Sequence, residues 1–122
     1  MKQLEHKVAI ITGAGAGIGR ETALLLAKEG AKVVVSDIDV QAGERVVKEI
    51  ESAAGEAIFV KADTSNPDDH KSLVDKTLEK FGRLDIAVNN AGIGGPLVPV
   101  GEYPIDGWDK VIGINLSGVF YG

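Results

Sequence analysis

The 122-residue chain has no cysteine, which excludes disulfides, thiolate zinc sites and cysteine nucleophiles, and suits a reducing compartment. Its core must hold together by burial alone. No apolar run approaches the ~18 residues of a membrane-spanning helix, and the opening stretch MKQLEHK lacks the hydrophobic segment of a secretory signal. Basic residues are outnumbered, 13 Lys and Arg against 18 Asp and Glu, so the net charge of -5 argues against a nucleic-acid footprint or an anionic-membrane patch. Histidine is scarce too. His6 and His70 stand without clustered Asp partners and read as surface residues, so no metal site is expected. Together these absences predict a soluble cytoplasmic protein with neither nucleic acid nor membrane as partner. What is present is an ordinary 44% hydrophobic content, enough for a core, and 16 glycines, about twice the usual ~7%.

Short β-branched runs recur about every 25 residues, at Val8 to Ile11, Val33 to Val35, Ile58 to Val60 and Ile86 to Val88. Each is apolar throughout instead of alternating, the pattern of a parallel strand buried on both faces. Helical patterns lie between them. Ile18 to Glu29 is closed by Gly30; Val40 to Ala54 carries Val46, Val47 and Ile50 and is closed by Gly55. A third helix is signposted by Asn66 as cap, Pro67 at its first position, Asp68 and Asp69 at the positive end of its dipole, and a buried stripe of Leu73, Val74, Leu78 and Phe81 before Gly82. The alternation predicts an α/β fold: a Rossmann-type, doubly wound parallel sheet with strand order 3-2-1-4 and right-handed crossovers. Residues 93 to 105 hold three of the four prolines and read as a loop, followed by a helix from about Asp106 with Trp108, Val111, Ile112, Leu116, Val119 and Phe120 apolar.

Chemistry concentrates at the first strand-to-helix turn, Thr12-Gly13-Ala14-Gly15-Ala16-Gly17-Ile18-Gly19. Such a turn aims backbone N–H groups and the positive helix end at one point, which suits a pyrophosphate. The spacing is T-G-x-x-x-G-x-G; neither G-x-G-x-x-G nor a Walker loop is present. Asp37, 18 residues after Gly19, ends the second strand, where its carboxylate can accept both ribose hydroxyls of an adenosine and would repel a 2′-phosphate. That favours NAD over NADP, the one nearby cation, Arg20, being placed to point away or pair with an acid. Asp37 could instead cap the next helix, a job Asp39 is also placed to do. Asp63-Thr64 and Asn89-Asn90-Ala91-Gly92 follow the third and fourth strands and so share the rim of the glycine turn.

The glycine turn, Asp37, Asp63, Asn89 to Gly92 and Asn115 together resemble the short-chain dehydrogenase/reductase family over essentially the whole chain. The resemblance implies a nicotinamide cofactor with Gly13, Ala16, Gly17, Ile18 and Gly19 around the pyrophosphate and Asp37 and Ile38 around the adenosine ribose. It implies Asp63 and Thr64 beside the adenine, and Asn90, Ala91 and Gly92 at the nicotinamide-side ribose, with Asn89 more structural. Asn115 matches the family's catalytic asparagine, whose backbone carbonyl kinks the helix and holds a water in a proton relay. The implied activity is NAD-dependent hydride transfer between the nicotinamide and a secondary alcohol or ketone, in a homodimer or homotetramer built partly on the last helix.

One departure bears on activity. The family transfers hydride with a Tyr-x-x-x-Lys pair and an upstream serine. Here Tyr103 is followed four residues on by Gly107, Tyr121 by Gly122 alone, and Ser117 lies on the helix of Asn115. The last helix reaches no stop signal, and nothing after the fourth strand covers its outer edge. Residues 1–122 are therefore expected to be the N-terminal part of one Rossmann domain, inactive alone. A non-catalytic dinucleotide-binding or interaction module is the alternative.

Overall fold

The computed structural model describes residues 2–122. Four parallel strands, β1 (Val8–Ile11), β2 (Lys32–Asp37), β3 (Glu56–Lys61) and β4 (Ile86–Val88), form one sheet in the order β3-β2-β1-β4. The register pairs Ile11 with Val35 and with Val88, and Asp37 with Lys61, so the strands end close together along one rim. Alternate residues of each strand face opposite layers. Ala9, Ile11, Val33 and Val35 pack against Ala23 of α1 (Gly17–Lys28) and Val46 and Ile50 of α2 (Val40–Ser52). Ile10, Val34 and Val60 pack against Leu73 of α3 (Pro67–Phe81). Burial on both sides is why β1 and β2 are apolar without alternation; β4, expected to be buried likewise, is only half-buried, with Ala87 exposed at the open edge of the sheet.

Local chemistry sets most boundaries. Asp39 caps α2, its carboxylate accepting the Ala42 N–H at 3.1 Å; Asn66 caps α3 through the Asp68 N–H at 2.9 Å, with Pro67 at the first position. Gly82 ends α3 in the left-handed conformation. At the end of α2 it is Ala54, not Gly55, that takes a positive φ. Gly55 is required for a different reason, since a Cβ there would stand 2.7 Å from Ile50 Cγ2.

Two expectations are corrected. In α3 only part of the predicted stripe is buried: Leu73 and Thr77 face the sheet, whereas Val74 and Leu78 are exposed. The sheet stops at β4, and among the described residues no element covers that flank. Thr77 tolerates burial because its hydroxyl donates to the Leu73 carbonyl at 2.7 Å. The last helix starts at Ile105, one residue early, and is not uniform. Its α4 (Ile105–Ile112) and α5 (Gly118–Tyr121) are joined by a π turn at Gly113–Ser117. Trp108, Leu116 and Phe120 are exposed along it and belong to no core.

Candidate functional site

The chain runs outward from β1 to β2 and β3, then returns to lay β4 on the other side of β1. That reversal opens a crevice at the carboxyl ends of the strands, where open α/β sheets take ligands. A cleft of about 470 Å³ occupies it. Gly13, Ala16, Gly17 and Ile18 line it from the first turn, Asp37 and Ile38 from the end of β2, Asp63 and Thr64 from the loop after β3, and Asn90, Ala91 and Gly92 from the segment after β4. Of the residues proposed from sequence, Gly19 and Asn115 are not in the wall, although Ile114 beside Asn115 is. Gly19 has a structural reason. It is buried beneath the turn, where a Cβ would fall on the Gly13 carbonyl oxygen. Ala62, Ile93 and Ile114 also line the cleft and carried no sequence signal beyond adjacency to Asp63, Gly92 and Asn115.

Gly13 and Gly17 adopt φ of 63° and 59°, a region other residues enter at a cost. Around Gly17 a side chain would meet nothing within 4 Å, so its requirement is backbone shape and an open approach. Helix α1 begins here without a side-chain cap, Ala16 having none to offer. The N–H groups of its first turn therefore keep free donor capacity beside the cleft, and the helix dipole adds partial positive charge.

The turn is braced from β4. Thr12 Oγ1 accepts the N–H groups of Asn90 and Ala91, each at 3.1 Å, and donates to the Val88 carbonyl at 3.4 Å. The Asn90 amide donates in return to the carbonyls of Thr12 and Gly13 at 3.1 and 3.2 Å. Asn90 thus shapes the glycine turn as well as lining the cleft. Asn89 lies outside the cleft, in a separate groove with His70 and Tyr121.

At the other end, Asp37 Oδ2 accepts the Gly15 N–H and Oδ1 the Asp39 N–H, both at 2.9 Å. Each oxygen retains acceptor capacity. The capping of α2 belongs to Asp39, so Asp37 is free of it. Arg20 turns from the cleft to Glu49, which it meets through two hydrogen bonds, and to Glu21 at 2.6 Å. The hydrogen bond from Arg20 holds the Glu49 carboxyl below its usual range. Among the described residues no cation lines the cleft. Asp63 Oδ1 accepts from the Ser65 hydroxyl at 2.6 Å and the Ser65 N–H at 2.9 Å, which lowers the pKa of its carboxyl.

Asn115 sits mid-way in the π turn, and its amide clasps the Ile93 backbone at two points: Oδ1 accepts the Ile93 N–H and Nδ2 donates to the Ile93 carbonyl, both at 2.8 Å. The clasp fixes the loop after Gly92 to the last helix. The widened turn itself disrupts regular i→i+4 pairing of the backbone at this point. Among the described residues no group of three His, Asp or Glu is placed to hold a metal, and no helix is long and apolar enough to cross a membrane.

A glycine turn at an uncapped helix and an acid fixed at the end of β2 meet in one cleft, an asparagine clasp holds Ile93 in its wall, and the sequence profile of short chain dehydrogenases matches residues 7–122. The chain belongs to the short-chain dehydrogenase family. Cyclohexanol dehydrogenase from Acinetobacter sp. (strain SE19) is 50% identical over 119 residues, covering 98% of this chain and 47% of that protein. Among solved structures, a short-chain dehydrogenase/reductase from Burkholderia phymatum in complex with NAD superposes with a TM-score of 0.95 at 39% identity, over 100% of this chain and 43% of that one. Hydroxysteroid dehydrogenase from Escherichia coli gives a TM-score of 0.90 at 42% identity, over 97% and 49%. The chain thus spans about half the length of these short-chain dehydrogenases.

Proposed function

We propose that this chain is the dinucleotide-holding part of an NAD-dependent oxidoreductase that moves a hydride between the nicotinamide and a secondary alcohol or ketone. The observation that carries the reading is Asp37, held by two backbone N–H groups at one end of a cleft whose middle is the uncapped start of α1. A diphosphate between two riboses fits that sequence of charge: donors at the centre, a hydroxyl acceptor at the end. Gly13, Ala16, Gly17 and Ile18 would hold the pyrophosphate, with Gly19 letting the turn close. Asp37 and Ile38 would take the adenosine ribose, Asp63 and Thr64 the adenine, and Asn90, Ala91 and Gly92 the second ribose. The bound nicotinamide supplies hydride chemistry. Asn115 would serve the proton relay through its backbone carbonyl, in the one stretch of helix where pairing is irregular.

The names of the relatives, cyclohexanol and hydroxysteroid dehydrogenases, support a small alcohol or carbonyl substrate. The serine and Tyr-x-x-x-Lys needed for turnover are not among these 122 residues, so the chain by itself is expected to bind without turning over. This also favours a second reading, a dinucleotide-binding module without catalysis. A serine and then Tyr-x-x-x-Lys encoded within about 40 residues after Gly122 would decide for the enzyme; their absence would decide for the module. We further place the intact protein in the cytoplasm as a homodimer or homotetramer.

The test is calorimetric titration of the intact protein with NAD and NADP. NAD is expected to bind at least tenfold tighter, about 1.4 kcal/mol, because Asp37 repels a 2′-phosphate and Arg20 is taken by Glu49. Asp37→Ala should narrow that ratio. A wild-type protein preferring NADP overturns the assignment of Asp37.

A further inference from the structure

His70 lies in the first turns of α3, and its side chain reaches back to the loop after β3. Its Nε2 is 2.9 Å from the Thr64 carbonyl oxygen. A carbonyl can only accept, so the ring donates and its Nε2 carries the proton. The preceding residue acts on the same loop, Asp69 Oδ2 accepting the Asp63 N–H at 2.8 Å. Two adjacent side chains of α3 thus hold the loop at the N–H of Asp63 and the carbonyl of Thr64, while Asp63 and Thr64 line the cleft.

The last helix packs closely over the Thr64 carbonyl. A Cβ on Gly118 would stand 2.8 Å from that oxygen, and the Tyr121 ring meets the His70 ring edge-on at 6.1 Å between centroids. Thr64 is buried, and the His70 bond is the one hydrogen bond to its carbonyl among the described residues. Removing the imidazole would strand a buried acceptor and release the loop toward the cleft.

We propose that His70 is a positioning residue for dinucleotide binding: it fixes the Thr64 peptide so that Asp63 and Thr64 form a rigid wall at the Asp37 end of the cleft. The proposal rests on reading that end as the seat of the adenosine half of the cofactor. Its energetic effect should therefore appear with ADP-ribose, which carries that half and the pyrophosphate but no nicotinamide. Geometry also fixes which substitutes work. A glutamine side-chain amide reaches about as far as Nε2, whereas an asparagine amide stops near the position of Nδ1.

The experiment is titration of the intact protein and its His70→Ala, His70→Gln and His70→Asn variants with ADP-ribose, with thermal unfolding recorded for each. His70→Ala and His70→Asn are expected to bind about tenfold more weakly, because the released loop must then be ordered on binding at a cost on the order of one residue's backbone entropy, and His70→Gln to return to within about threefold of wild type. Equal binding by the glutamine and asparagine variants, or wild-type affinity in His70→Ala, overturns the role of His70 while the functional reading stands. If His70→Ala does not fold, the glutamine and asparagine pair still decides. Failure of the wild-type protein to bind ADP-ribose overturns both.

Discussion

Thr12 and Ser36 show how differently two buried hydroxyls on neighbouring strands can matter. Continuing the register of Ile11 with Val35 sets them side by side, and both are almost fully buried. Thr12 Oγ1 serves two N–H groups and one carbonyl, whereas Ser36 Oγ has no partner among the described residues. Thr12→Val strands the N–H groups of Asn90 and Ala91 and should cost about 1–3 kcal/mol. Ser36→Ala removes a hydroxyl that was already unpaired and should stay within about 0.5 kcal/mol of wild type. Urea unfolding midpoints of the two variants measure this, and equal losses would show that Thr12 does not brace the turn. Residue types at the rim could be read from sequence because only glycine, Asp and Asn suit those backbone and charge demands. The partners of Thr12 and His70 could not, because their bonds cross 78 residues in one case and depend on a rotamer in the other.

Among the elements, β1 and β4 match the apolar runs residue for residue, and the caps Asn66 and Gly82 stand where α3 begins and ends. Local chemistry suffices for these. It does not suffice for Val74 and Leu78, which follow helical periodicity but face a flank that no described element covers. The start of β1 depends on a remote acid: Asp85 Oδ2 accepts the Val8 N–H at 2.9 Å, and its carboxyl pairs with Arg83 at 2.6 Å. The hydrogen bond from Arg83, then that from Val8, holds the Asp85 pKa below its ordinary 3.8. Asp63, bonded by Ser65, is lowered likewise. A carboxyl lowered by folding contributes stability above its unfolded pKa that is lost as pH falls through the folded one. Denaturant midpoints should therefore hold from pH 7 to about 4.5 and fall below about 4. Asp85→Asn should flatten that fall, and an unchanged acid limb would refute the contribution of Asp85.

At the scale of the molecule the sheet divides the chain into two unequal sides. The side of α1 and α2 is closed over Ile11, Val35 and Ile50; the side of α3 is partly open. The last helix lies toward the open side and turns Trp108, Leu116 and Phe120 outward at helical spacing. Exposed apolar side chains of that kind suit the subunit contact proposed above. Phe120, 85% exposed, is the most accessible of the three. Phe120→Asp should shift the intact protein to a smaller assembly in sedimentation velocity at micromolar concentration. An unchanged sedimentation coefficient would overturn the proposal of a subunit contact on this face.

The sequence by itself determined the strand and helix order, the two-sided burial of β1 and β2 and the residue types that stand along the rim. Each follows from short-range rules of periodicity, capping and backbone freedom. Only the tertiary structure decided that Asp37 is free of α2 and fixed toward the cleft, that Arg20 is spent on Glu49, and that Asn115 and His70 clasp peptides 22 and 6 residues away. The glycine excess divides the same way. Gly13 and Gly17 are required by their own φ and Gly55 by Ile50 of the helix it ends, while Gly15, Gly19 and Gly118 are required by neighbours such as Asp37, Asn90 and Thr64 that reach them only after the chain has folded.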